Sequence, residues 1–173
     1  VHQLSAPYPY RRPEGMSLEA FSDFLVQEFA DKIAELGPEN IACFIAEPIQ
    51  GEGGDRHFRP QFFAAMRDLC DEYDALLIAD EVQTGCGITG TPWAYQQLGF
   101  EPDVVAFGKK TQVCGIMAGR RVDEVADNVF AVSTRINSTW GGNLVDMVRS
   151  RRILEVIEAD RLCGEILKAK PDH

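Results

Sequence analysis

The sequence predicts an α/β fold, a mostly parallel sheet with crossover helices, and three features carry that expectation. Short apolar runs, "IACFIAEP", "ALLIAD" and "DVVAFG", have the length and composition of strands buried on both faces. Helical patterns alternate with these runs, which is the order in which parallel strands are joined by crossovers. Gly37-Pro38, Gly53-Gly54 and Gly99 punctuate the boundaries.

Residues 1–15 hold Pro7, Pro9 and Pro13 without periodicity and read as an extended connector. In the next stretch Leu18, Phe21, Phe24, Leu25, Phe29, Ile33 and Leu36 recur at helical spacing. Ser17 can cap the start and Gly37-Pro38 ends it. "IACFIAEP" is the first strand, and a loop of Gly51, Gly53 and Gly54 follows it. Pro60 suits a helix start, and Phe63, Met66, Leu69, Cys70 and Tyr73 form the stripe of the second helix. "ALLIAD" is the second strand, "PWAYQQLG" a short helix, and "DVVAFG" the third strand. A weaker strand near "GIMAG", a loop through "STWGGN" and a long helix from about Leu144 to Glu158 complete the pattern.

At 173 residues and 45% hydrophobic composition the chain is long enough for one domain, or part of one, with a real core. A net charge of −10 argues against general affinity for nucleic acid or anionic membrane, which require clustered Lys and Arg. No apolar run approaches the roughly 20 residues of a membrane span, and "VHQLSAPYPYRRPEG" does not read as an export signal. The cysteines, Cys43, Cys70, Cys86, Cys114 and Cys163, are odd in number and scattered. They indicate neither a disulfide framework nor a zinc site, and a reducing, cytoplasmic setting fits them.

The chemistry lies at the strand ends. The strongest strands finish at Glu47, at Asp80 with Glu81, and just before Lys109. In open α/β sheets ligands bind outside the carboxyl ends of the strands, so these groups are expected to share one crevice. A buried ion pair, or a lysine that reaches solvent, is the plain reading of any one of them taken singly. Taken together, a lysine and a carboxylate are what pyridoxal phosphate requires. The amine forms a Schiff base with it, and the acid keeps its ring nitrogen protonated so that the ring withdraws electrons. The Gln83 amide can hold the phenolic oxygen, and Val82 can pack on the ring face.

"AEPIQGEGG" (46–54), "LLIADEVQTGCGITG" (76–90), "PDVVAFGKK" (102–110) and "NSTWGGN" (137–143) resemble, in order and spacing, the class III, fold type I aminotransferases that depend on pyridoxal phosphate. "KTQVCGIMAGRRVDEV" departs from the generic class and looks like its lysine 6-aminotransferase subgroup. The resemblance makes Lys109 the Schiff-base lysine, Asp80 the partner of the ring nitrogen, Gln83 the partner of the phenolic oxygen and Val82 the stacking residue. It implies that Thr139 reaches the cofactor phosphate of a neighbouring subunit in a homodimer with shared sites. Glu52 matches a substrate-dependent glutamate switch, Glu47 an acid near the cofactor hydroxyl, and Asn137 an interface contact. The implied reaction moves the ε-amino group of L-lysine to 2-oxoglutarate, giving 2-aminoadipate 6-semialdehyde and glutamate in ping-pong half-reactions. On this resemblance residues 16–158 are the central part of the cofactor-binding large domain. Residues 159–173 are a tail that ends before the small domain, with the phosphate cradle expected upstream and the partner arginine of Glu52 downstream.

Other readings have less behind them. "GCGITG" (85–90) satisfies GxGxxG, but its glycines begin past Asp80 rather than at the strand end, which disfavours a nicotinamide site. Ornithine, acetylornithine and 4-aminobutyrate aminotransferases share most of the motifs. A truncated, non-catalytic fragment is the alternative from another class. His57 reads as a surface histidine, and Lys110 is the neighbour to distinguish from Lys109.

Overall fold

A computed structural model describes residues 1–136, 139 and 141–169. The first helix, α1 (Leu18–Leu36), forms where predicted: the Ser17 hydroxyl accepts the Ala20 N–H at 3.1 Å, and Gly37 closes the last turn with its N–H on the Ile33 carbonyl. Its buried stripe is narrower than the spacing suggested. Phe21, Leu25, Phe29 and Ile33 are buried, whereas Leu18 and Phe24 are 43% and 49% exposed. A spacing of four residues holds one line of contact, and the flanking apolar residues rotate away from it.

A four-stranded sheet lies beneath, built from β1 (Cys43–Ala46), β4 (Leu76–Asp80), β5 (Val104–Phe107) and β6 (Gly115–Ala118) in that spatial order. β1 pairs parallel with β4, and β4 parallel with β5, while β6 runs antiparallel along β5. The first two pairings need crossovers, and α2 (Pro60–Glu72) and α3 (Ala94–Leu98) lie in them. α2 starts with Pro60 at its first position, where the missing N–H costs no helix bond.

The core lies between the sheet and the helices α1 and α2. Phe63 and Met66 of α2 are essentially inaccessible, and Leu77 and Ala79 of β4 face them. Phe63 stacks on Phe100 with ring centres 4.4 Å apart, and Phe29 lies 5.0 Å from Phe44. Truncating Phe63 to alanine would cost about 3–5 kcal/mol.

Three details depart from the sequence reading. β1 is an edge strand, not one buried on both faces: Ile45 is 58% exposed and Cys43 is also on the open side. The glycine loop contains a minimal hairpin, β2 (Ile49–Gln50) with β3 (Arg56–His57), too short for any periodicity to betray. The connector lies along α1, with the Ser5 hydroxyl donating to Glu28 and Arg56 sitting 5.0 Å over the Tyr8 ring.

The far end of the sheet is closed by charge. Asp103, before β5, accepts from Arg67 of α2 at 2.8 Å, from the Leu77 N–H at 2.7 Å and from Arg121 at 3.4 Å. α4 (Leu144–Ala159) is capped by the Asn143 side chain and has no buried residue among those described. α5 (Leu162–Ala169) follows it. Among the described residues no helix is long and apolar enough to cross a membrane.

Candidate active site

Parallel pairing brings three strand ends to one edge. Ala46 pairs with Ala79 and Asp80 with Ala106, so Glu47, Asp80 and the Gly108-Lys109 turn follow one another across the sheet. Their fields overlap. Burial pushes the Glu47 carboxyl above the usual glutamate range, and the neighbouring Asp80 carboxylate pushes it the same way; the Lys109 ammonium opposes, Glu52 adds to the rise, and the Gly51 N–H works against it. Glu47, Glu52, Asp80 and Lys109 therefore belong to one electrostatic cluster.

Each group is held by its own local structure. Asp80 closes a small turn in which its Oδ1 accepts the Val82 N–H at 3.1 Å, folding Val82 back over the strand end. Val82 then lies beside Gly108: its Cγ1 is 3.6 Å from the place a Cβ on Gly108 would take, and the Cys114 Sγ is 2.8 Å from that place. A side chain there would have to push the Cys114 thiol aside.

Lys109 opens a short 3-10 turn, Lys109–Thr111, and has φ 48°, a left-handed backbone that costs a lysine about 1–2 kcal/mol. The Gln112 N–H and the Gln112 side-chain amide, 3.0 and 3.1 Å from the Lys109 carbonyl, hold that conformation. The exposed Lys109 amine donates to Gln83 Oε1 at 3.4 Å. Lys110 donates to the main-chain carbonyl of the same Gln83. Both lysines thus reach Gln83, one through its side chain and one through its backbone.

Gly51 completes the enclosure. A Cβ there would collide with the Gln83 carboxamide, so the bare backbone before Glu52 is what lets that amide lie against the loop. Both close-approach glycines, Gly51 in "QGEGG" and Gly108 in "FGKK", stand in stretches noted in the sequence. Gln83 is distant in sequence from Gly51, and Cys114 meets Gly108 because β6 turns back along β5, neither of which could be read from the sequence.

One expectation is corrected. Glu81 does not share the crevice with Asp80. It is fully buried on the other side, where one carboxylate oxygen accepts the Thr84 hydroxyl and the other accepts the Tyr95 N–H of α3 at 2.8 Å. Successive residues at a strand end point to opposite faces, so the adjacent acids separate into one that looks outward and one that anchors α3. The remaining candidates are less connected. Glu52 is exposed; Thr139 is exposed and has no hydrogen bond to the cluster among the described residues; Asn137 lies outside the described residues.

An amine, a partly buried carboxylate, a carboxamide and a branched aliphatic side chain at one sheet edge fit the needs of a pyridine aldehyde cofactor. The amine can bond its carbonyl carbon and the carboxylate can pair with its ring nitrogen, and among the described residues Asp80 and Lys109 do not neutralise each other in an ion pair. Nothing in the donor set conflicts with that group.

Comparison with known proteins identifies the family. The family model described as aminotransferase class-III matches residues 1–171. The chain is 67% identical to the L-lysine-epsilon aminotransferase of Mycobacterium bovis, an alignment covering 95% of this chain and 38% of that protein. Its structure matches that of the lysine aminotransferase from M. tuberculosis with a TM-score of 0.84 and 67% identity, over 93% of this chain and 37% of the other. A 4-aminobutyrate aminotransferase of Escherichia coli is 40% identical over 74% of this chain and 30% of its own length. The chain thus spans under two fifths of the relatives it matches, and within that span it belongs to the class-III aminotransferase family.

Proposed function

We propose that this chain is the cofactor-binding part of a lysine 6-aminotransferase, which transfers the ε-amino group of L-lysine to 2-oxoglutarate through pyridoxal phosphate. The observation that carries the reading is the meeting of Asp80, Gln83 and Lys109 at the carboxyl edge of the sheet. The choice of donor is supported by identity: 67% to L-lysine-epsilon aminotransferases against 40% to a 4-aminobutyrate enzyme.

Pyridoxal phosphate, when bound, supplies an electron-withdrawing ring that stabilises a carbanion next to the transferred nitrogen. The chain's own groups do the rest. Lys109 would hold the cofactor through Nζ, and its freed amine would move a proton at the substrate carbon that bears nitrogen. Asp80 would keep a proton on the ring nitrogen, and among the described residues its Oδ1 is engaged by the Val82 N–H. Gln83, held through its main-chain carbonyl by Lys110, would offer its carboxamide to the phenolic oxygen. Val82 closes one face against water.

Glu52 and Glu47 stand on the substrate side. Glu52 is exposed and would serve as the switch between amino donor and oxo acid, and Glu47, whose carboxyl is pushed above the usual glutamate range first by burial and then by Asp80, feels the charge of Glu52 as well. Thr139 and Asn137 belong to the homodimer part of the proposal, in which Thr139 reaches a neighbouring subunit's cofactor phosphate. A reducing, cytoplasmic compartment belongs to the same proposal and is supported by the odd number and scatter of the cysteines in the sequence.

The test is capture. The chain is incubated with pyridoxal phosphate and reduced with borohydride, and the pyridoxyl adduct is mapped by mass spectrometry. An adduct on Lys109, absent in Lys109→Ala and present in Lys110→Ala, supports the site. Scattered labelling of surface lysines rejects it. Turnover of lysine against ornithine, with 2-oxoglutarate as acceptor, tests the donor. Capture without turnover of either amine favours the non-catalytic alternative.

A further inference from the structure

α5 rests on bare backbone. Its residues Cys163 and Leu167, one turn apart on the same face, lie over Gly87 and Gly90 of the loop that follows β4. The Cys163 Sγ is 2.8 Å from where a Cβ on Gly87 would stand, and the Leu167 Cδ2 is 2.5 Å from the corresponding place on Gly90. Both glycines have left-handed backbones, φ 91° and 100°. A side chain at either position would have to displace the Cys163 thiol or the Leu167 side chain and would sit on a strained left-handed backbone.

The residue beside Gly87 is a second cysteine. Cys86 is half-buried, as is Cys163, whereas Cys43 and Cys114 are exposed and Cys70 is sealed in the core with its thiol pushed up to about 11 by burial. Consecutive Cα atoms are about 3.8 Å apart, so a thiol already seated on Gly87 is within one residue of Cys86. A disulfide needs Cα atoms about 4.4–6.8 Å apart, and the seating of Cys163 on Gly87 is what brings its thiol near Cys86.

We propose that Cys86 and Cys163 form a peroxide-responsive dithiol whose disulfide clamps α5 to the loop carrying Gln83. This rests on the packing of α5 and not on the cofactor assignment. Burial pushes the Cys86 thiol up, Lys110 opposes and Cys163 adds a smaller rise, which suits Cys86 to the resolving role and leaves the first attack to Cys163. Its thiolate attacks one oxygen of hydrogen peroxide; the O–O bond breaks, one water leaves, and Cys163 becomes a sulfenic acid. Cys86 gives up its proton and attacks that sulfur; the S–S bond forms, the S–O bond breaks, and a second water leaves. Two thiols have then lost two electrons and two protons to the peroxide, and a small dithiol returns them.

The test oxidises the chain with dilute hydrogen peroxide, blocks free thiols, digests with trypsin without reduction and sequences linked peptides. The expected product joins the peptides 68–109 and 162–168, with fragmentation placing the link on Cys86 and not Cys70. The link disappears in Cys86→Ser and persists in Cys114→Ser. Leu167→Ala removes the second seat of α5 at a residue 45% exposed, where folding is not at stake, and slows linking by about tenfold through lost effective concentration. Linking of Cys163 to Cys43 or Cys114 as readily as to Cys86 overturns the proposal. So does oxidation of the two thiols to separate sulfinic acids, or a linking rate untouched by Leu167→Ala.

Discussion

The Lys109 amine donates to the side-chain oxygen of Gln83 at 3.4 Å, and the adjacent Lys110 donates to the carbonyl of the same residue. Two neighbouring lysines, indistinguishable by type, thereby acquire different tasks. Lys110 is half-buried and occupied with a main-chain oxygen, whereas Lys109 is exposed and meets only a long contact. Lys109→Ala should abolish cofactor capture outright. Lys110→Ala should leave capture on Lys109 but release the Gln83 loop, lowering stability by about 1.5–3 kcal/mol for a lost charged hydrogen bond. Adduct mapping and urea unfolding, run side by side, separate the two effects.

Asp80→Asn keeps an oxygen for the Val82 N–H and removes the charge. The turn should survive, with a melting temperature near that of the parent, while turnover falls about 100-fold or more from the loss of a preorganised charge. A variant that loses fold and activity together would instead make Asp80 structural.

Glu47 links that charge to pH. Its raised carboxyl means that the folded chain holds more proton than the unfolded chain just above the ordinary glutamate range. Stability from this group is fully present at lower pH and is lost as pH rises through that window. Carboxyl NMR titration should find Glu47 titrating above the exposed glutamates, and in Asp80→Asn it should move down toward them. Burial, the larger cause, leaves part of the rise in place.

Glu81 is the acid that folding needs. Glu81→Ala strands the Tyr95 N–H and the Thr84 hydroxyl in a buried space and should cost about 3 kcal/mol. Glu81→Gln retains an acceptor for Tyr95, and the rotatable Thr84 hydroxyl can accept from the new amide. Its denaturation midpoint should lie much nearer the parent's.

Asp103 gathers two arginines and a strand N–H at the opposite end of the sheet. Asp103→Ala leaves Arg67 as a partly buried charge that keeps only its contact with the exposed Asp71, a loss of about 3–5 kcal/mol. Urea unfolding should show that loss, with capture at Lys109 retained in the fraction that is folded.

Much of this protein was legible before any coordinates. α1 announced itself by Ser17, a four-residue stripe and Gly37-Pro38, because helix caps and apolar spacing are local. Lys109, Asp80 and Gln83 were legible because apolar strands show where they end, and an α/β sheet collects its parallel strand ends on one edge. Which way each side chain turned was not local. The separation of Asp80 from Glu81 depends on α3 bringing the Tyr95 N–H across 14 residues, and the exposure of Ile45 depends on α1 and α2 covering the opposite face of the sheet. The seating of Cys163 on Gly87 joins residues that no spacing rule connects. Sequence alone determined the elements, their order and the chemical groups at their ends, since those follow from short-range propensity and period. Only tertiary structure decided edge from centre, buried acid from exposed acid and one lysine from its neighbour, because each of these is set by a partner distant in the chain.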